Sequence, residues 1–167
     1  MRKVRQIFVV LLLLGSLTSF VSFGKKDKPA GGLNVGNAAP DFEIKAANEQ
    51  SLALSNFKGK YVLLSFWASY DAQSRVQNIC LNNALQSAFP NIEMVSVSFD
   101  EYRSVFTETV RKDQIVASAC FVETDGAKSG LFEKYRLQRG FTNYLLDKDG
   151  VILAKDVSVK ELDTLLK

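Results

Sequence analysis

The chain has 167 residues, of which 47% are hydrophobic and 23% charged, a composition typical of one globular domain. It contains no histidine, which excludes histidine metal sites and Ser-His or Cys-His nucleophile pairs. The net charge of +3 comes from Arg2, Lys3 and Arg5; without them, basic and acidic residues are equal in number. A nucleic-acid-binding role therefore has no electrostatic support.

The amino-terminal segment has the three-part pattern of a secretory signal peptide. A basic start precedes an apolar run over residues 7–14, and a Ser/Thr-rich stretch ends at Gly24, where we expect cleavage. The alternative is a retained membrane anchor, because the uncharged stretch that begins at Gln6 nearly reaches the roughly 20 residues that span a bilayer. The predicted organisation is a signal peptide over residues 1–24, a flexible linker over 25–35 and a folded domain over 36–167.

Alternation and apolar runs predict a series of β-strands. Residues 61–68 (YVLLSFWA) are almost continuously apolar, as expected for a strand that is covered on both faces. Asp149 and Gly150 predict a hairpin between the last two strands. The predicted strands are residues 41–46, 51–54, 61–68, 92–99, 120–123, 141–147 and 151–155.

Apolar residues at helical spacing predict helices between these strands. The first core helix covers residues 73–88 and ends before Pro90, with an inward stripe of Val76, Cys80 and Ala84. Residues 127–135 form a further predicted helix, and Leu162, Leu165 and Leu166 are expected to face inward in the last one.

Polar residues mark where two of these helices begin. Asp100 is expected to cap the second helix, whose predicted inward stripe contains Tyr102, Val105, Phe106, Thr109 and Val110. Ser158 and Glu161 have the spacing of a capping box for the last helix.

The order of elements predicts an α/β fold. Strand–helix–strand units with short connections imply parallel pairing with right-handed crossovers, and the final hairpin adds an antiparallel edge. We expect a three-layer sandwich with a mixed central sheet and an N-terminal β extension.

Several motifs along this order resemble the thioredoxin superfamily. They are Ala39-Pro40-Asp41-Phe42, the stretch from Leu54 to Lys60 (LSNFKGK), the stretch from Leu64 to Ser69 (LSFWAS) and the segment from Tyr135 to Gly150. The chain is most similar to extracytoplasmic thiol–disulfide oxidoreductases of the TlpA/ResA type and to AhpC/TSA redoxins. The resemblance implies a thioredoxin-like fold over nearly the whole predicted domain.

The resemblance fails where the family places its redox chemistry. In these proteins an aromatic residue is followed by C-x-x-C, whereas Tyr70 is followed here by Asp71 and, three residues later, Ser74. A carboxylate cannot form a mixed disulfide and a hydroxyl cannot resolve one. Phe141 stands at the position of the family's cis-proline, so we expect a trans Gly140–Phe141 bond.

Two interpretations of this degenerate site remain open. Asp71 has the position of an N-cap, which satisfies amide groups and interacts favourably with the helix dipole. Alternatively, a surviving groove binds a peptide or small ligand; its candidate residues are Trp67, Tyr70, Asp71, Ser74, Phe141 and Thr142. We expect Phe141 to lie toward Trp67, Tyr70 and Asp71.

The two cysteines have two possible roles, packing in the core or formation of a disulfide. Cys80 lies on the predicted apolar stripe, and Cys120 begins a short apolar segment, so burial in the core is expected for both. A Cys80–Cys120 disulfide is the alternative, since an exported protein meets an oxidising compartment.

Two functional hypotheses follow. The first is a non-catalytic module of the bacterial periplasm or cell envelope that binds a protein or peptide partner, with membrane contact only if the N-terminal segment is retained. The second is a thiol–disulfide oxidoreductase or antioxidant protein acting through Cys80 or Cys120. Neither requires a cofactor, a metal or a nucleic acid.

The N-terminal pattern generates a prediction about export. Mass spectrometry of the protein from an envelope fraction should give an amino terminus close to Lys25, because signal peptidase cleaves after small residues such as Gly24. Recovery of intact Met1 in an integral membrane fraction would instead establish the anchor.

Overall fold

The computed structural model describes residues 29–45, 51–115 and 119–165, so the predicted signal peptide and the first part of the linker lie outside the described residues. The strands are β1 (Glu43–Lys45), β2 (Ser51–Ala53), β3 (Tyr61–Trp67), β4 (Ile92–Ser98), β5 (Ala119–Val122), β6 (Asn143–Leu146) and β7 (Ile152–Lys155). The α-helices are α1 (Ala72–Ala88), α2 (Arg103–Lys112), α3 (Gly130–Lys134) and α4 (Val159–Leu165), and 3₁₀ turns occupy Leu54–Phe57, Gly126–Lys128 and Leu137–Arg139. Over these ranges, no helix combines the length and hydropathy that a membrane crossing requires.

A mixed sheet forms the centre of the fold, with the strand order β5-β4-β3-β6-β7. β3 and β5 each pair in parallel with β4, whereas β6 pairs antiparallel with both β3 and β7. β3 is central because its residues from Val62 to Trp67 are all buried and require cover on both faces. The predicted α/β sandwich with a mixed sheet is confirmed, and the antiparallel β1–β2 pair is the expected N-terminal extension.

The two faces of β3 pack against different layers. Phe66 belongs to the larger hydrophobic cluster, where its ring contacts those of Phe42, Phe99, Tyr135 and Tyr144. The opposite face packs under α1 and α4 through a second cluster, made of Leu63, Leu81, Leu85, Met94, Leu145, Val157 and Leu162.

The orientation of α1 differs from the expected one. The predicted inward stripe is wrong, because Val76 is 59% exposed, Cys80 is exposed and Ala84 is only half-buried. The buried residues of this helix are Ser74, Asn78, Leu81, Asn82 and Leu85.

A polar strip on the sheet explains this rotation. The Ser96 hydroxyl of β4 lies beneath α1 and donates a hydrogen bond of 3.0 Å to Asn78 Oδ1. The same hydroxyl accepts a hydrogen bond of 2.8 Å from Trp67 Nε1. The Ser96 hydroxyl thus gains a partner when the Asn78 side of α1 turns inward and the Val76–Cys80 side turns out, although Asn78 Nδ2 has no hydrogen-bond partner among the described residues.

The start of α2 also differs from the expected one. Its N-cap residue is Tyr102, which makes no side-chain capping bond, while the Asp100 carboxylate binds the hydroxyls of Ser69 and Ser98. Tyr102 and Val105 are exposed rather than inward, and Thr109 is the buried residue of the helix. Asp100 is therefore buried at the sheet edge and does not cap α2.

The C-terminal elements begin as predicted. Ser158 N and Oγ each donate to Glu161 Oε2 at 2.8 Å, which confirms the capping box. Leu162 is buried, whereas Leu165 is exposed and Leu166 lies outside the described residues.

A bidentate ion pair joins α1 to the end of α2. Arg75 Nε and Nη2 donate to Asp113 Oδ2 and Oδ1 at 2.6 and 2.7 Å, and the Asp113 side chain is only 10% exposed. The hydrogen bonds from Arg75 hold the pKa of Asp113 below its usual value. The carboxylate therefore contributes stability above its unfolded-state pKa, and that contribution is lost as the pH falls through the folded-state pKa.

We predict that Asp113→Asn lowers the free energy of unfolding by about 1–3 kcal/mol at neutral pH. The difference from wild type should shrink as the pH falls through the lowered folded-state pKa of Asp113, because the wild type then loses this charge as well. Urea melts at neutral pH and at the lowest pH at which both proteins still fold measure it. Glu108→Gln is the control, because Glu108 pairs with Arg111 on the exposed surface and its loss should leave the midpoint unchanged. An equal effect of Asp113→Asn at both pH values would contradict the assignment.

Candidate functional site

The candidate site lies where the parallel strands β3 and β4 end side by side. The chain leaves β3 through Ser69 and Tyr70 and enters α1 at Asp71, and it leaves β4 through Phe99 and Asp100. A third segment, Gly140 to Thr142, precedes β6, which is the other neighbour of β3. These three connections carry most of the residues that the sequence indicated.

Asp71 caps the first core helix. Its backbone is extended, and its Oδ1 accepts a hydrogen bond of 2.7 Å from Ser74 N. The Ser74 hydroxyl donates back to the Asp71 carbonyl at 3.3 Å, and Ser74 is buried. The capping interaction expected from the sequence is therefore present, and Ser74 offers no open surface to a ligand.

A buried carboxylate holds the connection between β3 and α1 in place. Asp100 is 3% exposed, and its oxygens accept hydrogen bonds from Ser69 N at 3.0 and 3.2 Å, from Ser69 Oγ at 2.5 Å and from Ser98 Oγ at 2.6 Å. Its partners are amide and hydroxyl groups of both strand ends. Sequence reasoning missed this role; the signal was a serine on each of two adjacent strand ends, next to one aspartate.

Trp67 lies in the interior and does not line a groove. Its side chain is fully buried on the α1 and α2 side of the sheet, with its ring centroid 6.3 Å from that of Phe106. Side chains alternate along a strand, so Trp67 lies on the face of Leu63, which packs under α1 and α4, and not on the face of Phe66. The prediction that Trp67 lines a binding groove is therefore wrong.

An aromatic cluster lies beside Tyr70. The ring of Phe141 stacks on Phe99 with centroids 5.9 Å apart, and lies 6.2 Å from Phe132 and 6.3 Å from Tyr70. The Gly140–Phe141 bond is trans, as predicted, since the described residues contain no cis bond. Phe141 lies against Tyr70, as expected, but its ring contacts do not include Trp67.

The groups flanking this cluster are polar or acidic. Thr142 is half-buried and its Oγ1 donates a hydrogen bond to Asp156 Oδ1. Tyr70 is 69% exposed. Partial burial raises the pKa of Tyr70, and the carboxylates of Asp100, Asp71 and Glu101 raise it further. Of the residues in the described ranges, no cluster of three or more cysteine or acidic side chains could hold a metal ion.

The cysteines are not joined. Both are free; Cys80 is exposed on α1, and Cys120 is half-buried on β5 opposite Ser96. The disulfide considered from the sequence is absent, and the expected burial of Cys80 is wrong because the polar side of α1 occupies the interior. Burial raises the pKa of Cys120 to about 11, which leaves roughly one thiolate in ten thousand at neutral pH.

One cavity lies at the opposite end of the sheet, where Leu54, Val62 and Leu146 contribute to its lining. Its volume is about 180 Å³, below the roughly 300 Å³ at which ligand pockets usually begin. Carboxylates on its rim are engaged in turns, since Asp41 Oδ1 accepts from Ser55 N and Asp147 Oδ1 accepts from Val151 N. The aromatic and acidic surface around Tyr70 is therefore the better candidate.

Comparison with known proteins establishes the class. Residues 35–155 match the AhpC/TSA family, and the chain belongs to this family. It is similar to the thioredoxin-like protein YneN of Bacillus subtilis (strain 168), with 26% identity over 151 residues that cover 86% of this chain and 84% of that protein. It is also similar to the thiol-disulfide oxidoreductase ResA of Bacillus cereus (strain ATCC 10987 / NRS 248), with 23% identity over 160 residues, 92% of this chain and 88% of that protein.

A solved structure supports the same assignment. A thioredoxin-like protein from Parabacteroides distasonis ATCC 8503 is 41% identical and aligns with a TM-score of 0.73, covering 84% of this chain and 100% of that chain. The thioredoxin-like fold implied by the sequence resemblance is therefore confirmed.

The capping geometry generates a prediction about Asp71. Asp71→Ala should lower the free energy of unfolding by about 0.5–2 kcal/mol, because it removes the acceptor of Ser74 N, and Asp71→Asn should lower it by less. Urea melts of the two variants decide this. An unchanged midpoint for Asp71→Ala would show that the carboxylate does not stabilise the helix.

Proposed function

We propose that the protein is an exported, non-catalytic binding module that holds a protein or peptide partner of the cell envelope. The observation that carries this proposal is the state of Asp71, which stands where the family resemblance places the attacking cysteine and which caps α1. Ser74, at the position of the resolving cysteine, is buried. A shared fold does not transfer an activity when the reacting groups are replaced.

The surface around Tyr70 supports a binding role. An exposed tyrosine ring lies against the half-buried ring of Phe141, which is itself backed by Phe99 and Phe132. Aromatic side chains are enriched in protein interfaces, where they bury a large area at a low cost in conformational entropy. A rigid aromatic base with one exposed ring provides such an anchor. Export is supported by the basic, apolar and Ser/Thr-rich order of residues 1–24.

The second candidate function is thiol–disulfide exchange or an antioxidant role through Cys80 or Cys120. The exposed, free thiol of Cys80 favours it, as does the name of the relative ResA. However, Cys80 lies nine residues beyond Asp71, roughly 13 Å along the axis of α1, and so away from the helix N-terminus, where the resemblance places the attacking cysteine. Cys120 is held in its neutral form by burial.

The two candidates predict opposite results in an insulin-reduction assay on the mature protein with dithiothreitol. As a binding module, the wild type should not accelerate reduction above background, and Cys80→Ser and Cys120→Ser should behave identically. Catalysis by the wild type that disappears in Cys80→Ser or Cys120→Ser would establish the oxidoreductase instead.

The binding half of the proposal is tested by capture from an envelope extract. A partner retained by the wild type should be lost with Tyr70→Ala and kept with Leu165→Ala, which shortens an exposed apolar side chain on α4. Equal capture by Tyr70→Ala would refute the assignment of this surface.

A further inference from the structure

The chemistry of the partner follows from the charges around the exposed ring, if the proposed function holds. We define the Tyr70 surface as Tyr70, Phe141, Asp71 and Glu101. Its apolar part is the ring of Tyr70 and the partly exposed ring of Phe141 beside it. Its charged part consists of the carboxylates of Asp71, which follows Tyr70 in the chain, and of Glu101, which follows Asp100. The buried carboxylate of Asp100 binds Ser69 N and so holds the Glu101 segment next to Tyr70.

The two surface carboxylates have capacity for a ligand. Asp71 uses Oδ1 for the helix cap, and across the described part of the chain its Oδ2 has no hydrogen-bond or ion-pair partner. The carboxylate of Glu101 has none within the same residues.

Glu101 is also restricted in position. Its side chain passes over Gly126, where an added Cβ would lie 3.1 Å from Glu101 Cγ. The positive φ of +53° at Gly126 favours glycine there as well.

The one cation of α1 makes its ion pair away from the two surface carboxylates, although it also interacts electrostatically with the buried Asp100. Arg75, one turn into the helix, is turned toward α2 and held by both carboxylate oxygens of Asp113. Within the described residues, the surface therefore combines an exposed tyrosine ring with two carboxylates that make no ion pair. A ring face and carboxylates side by side attract guanidinium and ammonium groups.

We propose that the partner segment presents an arginine or lysine side chain to the Tyr70 surface, next to an apolar side chain that packs on Phe141. Arginine suits the site best, since its planar group stacks on a ring while its N–H groups donate to carboxylates. The partner is thus a basic peptide segment, and the negative charges disfavour acidic segments.

The probe for this proposal is a short synthetic peptide containing Arg-Phe-Arg between Gly-Ser spacers, compared with the same peptide containing Gln-Phe-Gln. Fluorescence anisotropy should give a Kd about tenfold lower for the basic peptide, and the difference should fall at high salt. Glu101→Gln and Tyr70→Ala should each weaken binding of the basic peptide about fivefold, whereas Tyr70→Phe should retain it.

The matched control is Asp149→Asn, which removes an exposed carboxylate at the opposite end of the sheet and should leave the Kd unchanged. Thermal melts confirm that each variant is folded. Equal binding of the two peptides, or basic-peptide binding that survives both Tyr70→Ala and Glu101→Gln, would overturn the inference.

The same results separate this inference from the proposed function. If the two peptides bind equally while envelope capture still depends on Tyr70, the partner is not basic and the proposed function stands. If capture is also independent of Tyr70, the proposed function fails as well.

Discussion

The geometry of the whole site depends on one buried carboxylate. Two parallel strands that end at the same edge of a sheet leave polar groups that need partners, and Asp100 accepts the hydrogen bonds of Ser69 and Ser98 there. This ties the end of β3 to the end of β4 and fixes the short connection into α1. With that connection fixed, Tyr70 is directed into solvent and Asp71 stands at the head of the helix.

A carboxylate stabilises the start of α1. A helix N-terminus carries unsatisfied amide groups and a partial positive charge, and both stabilise a thiolate or a carboxylate. In this chain the carboxylate of Asp71 takes that place and binds Ser74 N. Asp71 thereby stabilises the start of the helix, and its carboxylate cannot form a mixed disulfide. Beside it lies the aromatic surface formed by Tyr70 and Phe141.

The β-sheet could be predicted from the sequence because its signals are local: an almost continuous apolar run for β3, apolar residues interrupted by Glu93 and two serines for β4, and an Asp-Gly turn before β7. The predictions for the buried face of α1 and for Asp100 proved wrong because they depend on contacts between residues far apart in the sequence. Nothing in the sequence around Cys80 indicates that Ser96 lies beneath α1 and binds Asn78. Apolar spacing alone therefore predicts the wrong buried face for this helix. The cap at Asp71 was predictable because its acceptor and donor are three residues apart, whereas the partners of Asp100 lie on another strand.

We propose that the partner binds the Tyr70 surface without forming a covalent bond to sulfur. The most direct measurement is intact-protein mass spectrometry of the complex captured from the envelope, recorded under denaturing conditions without reductant. The account predicts two separate masses, that of the mature protein with both thiols free and that of its partner. A single adduct mass that separates only on reduction, and that is absent for Cys80→Ser, would contradict it.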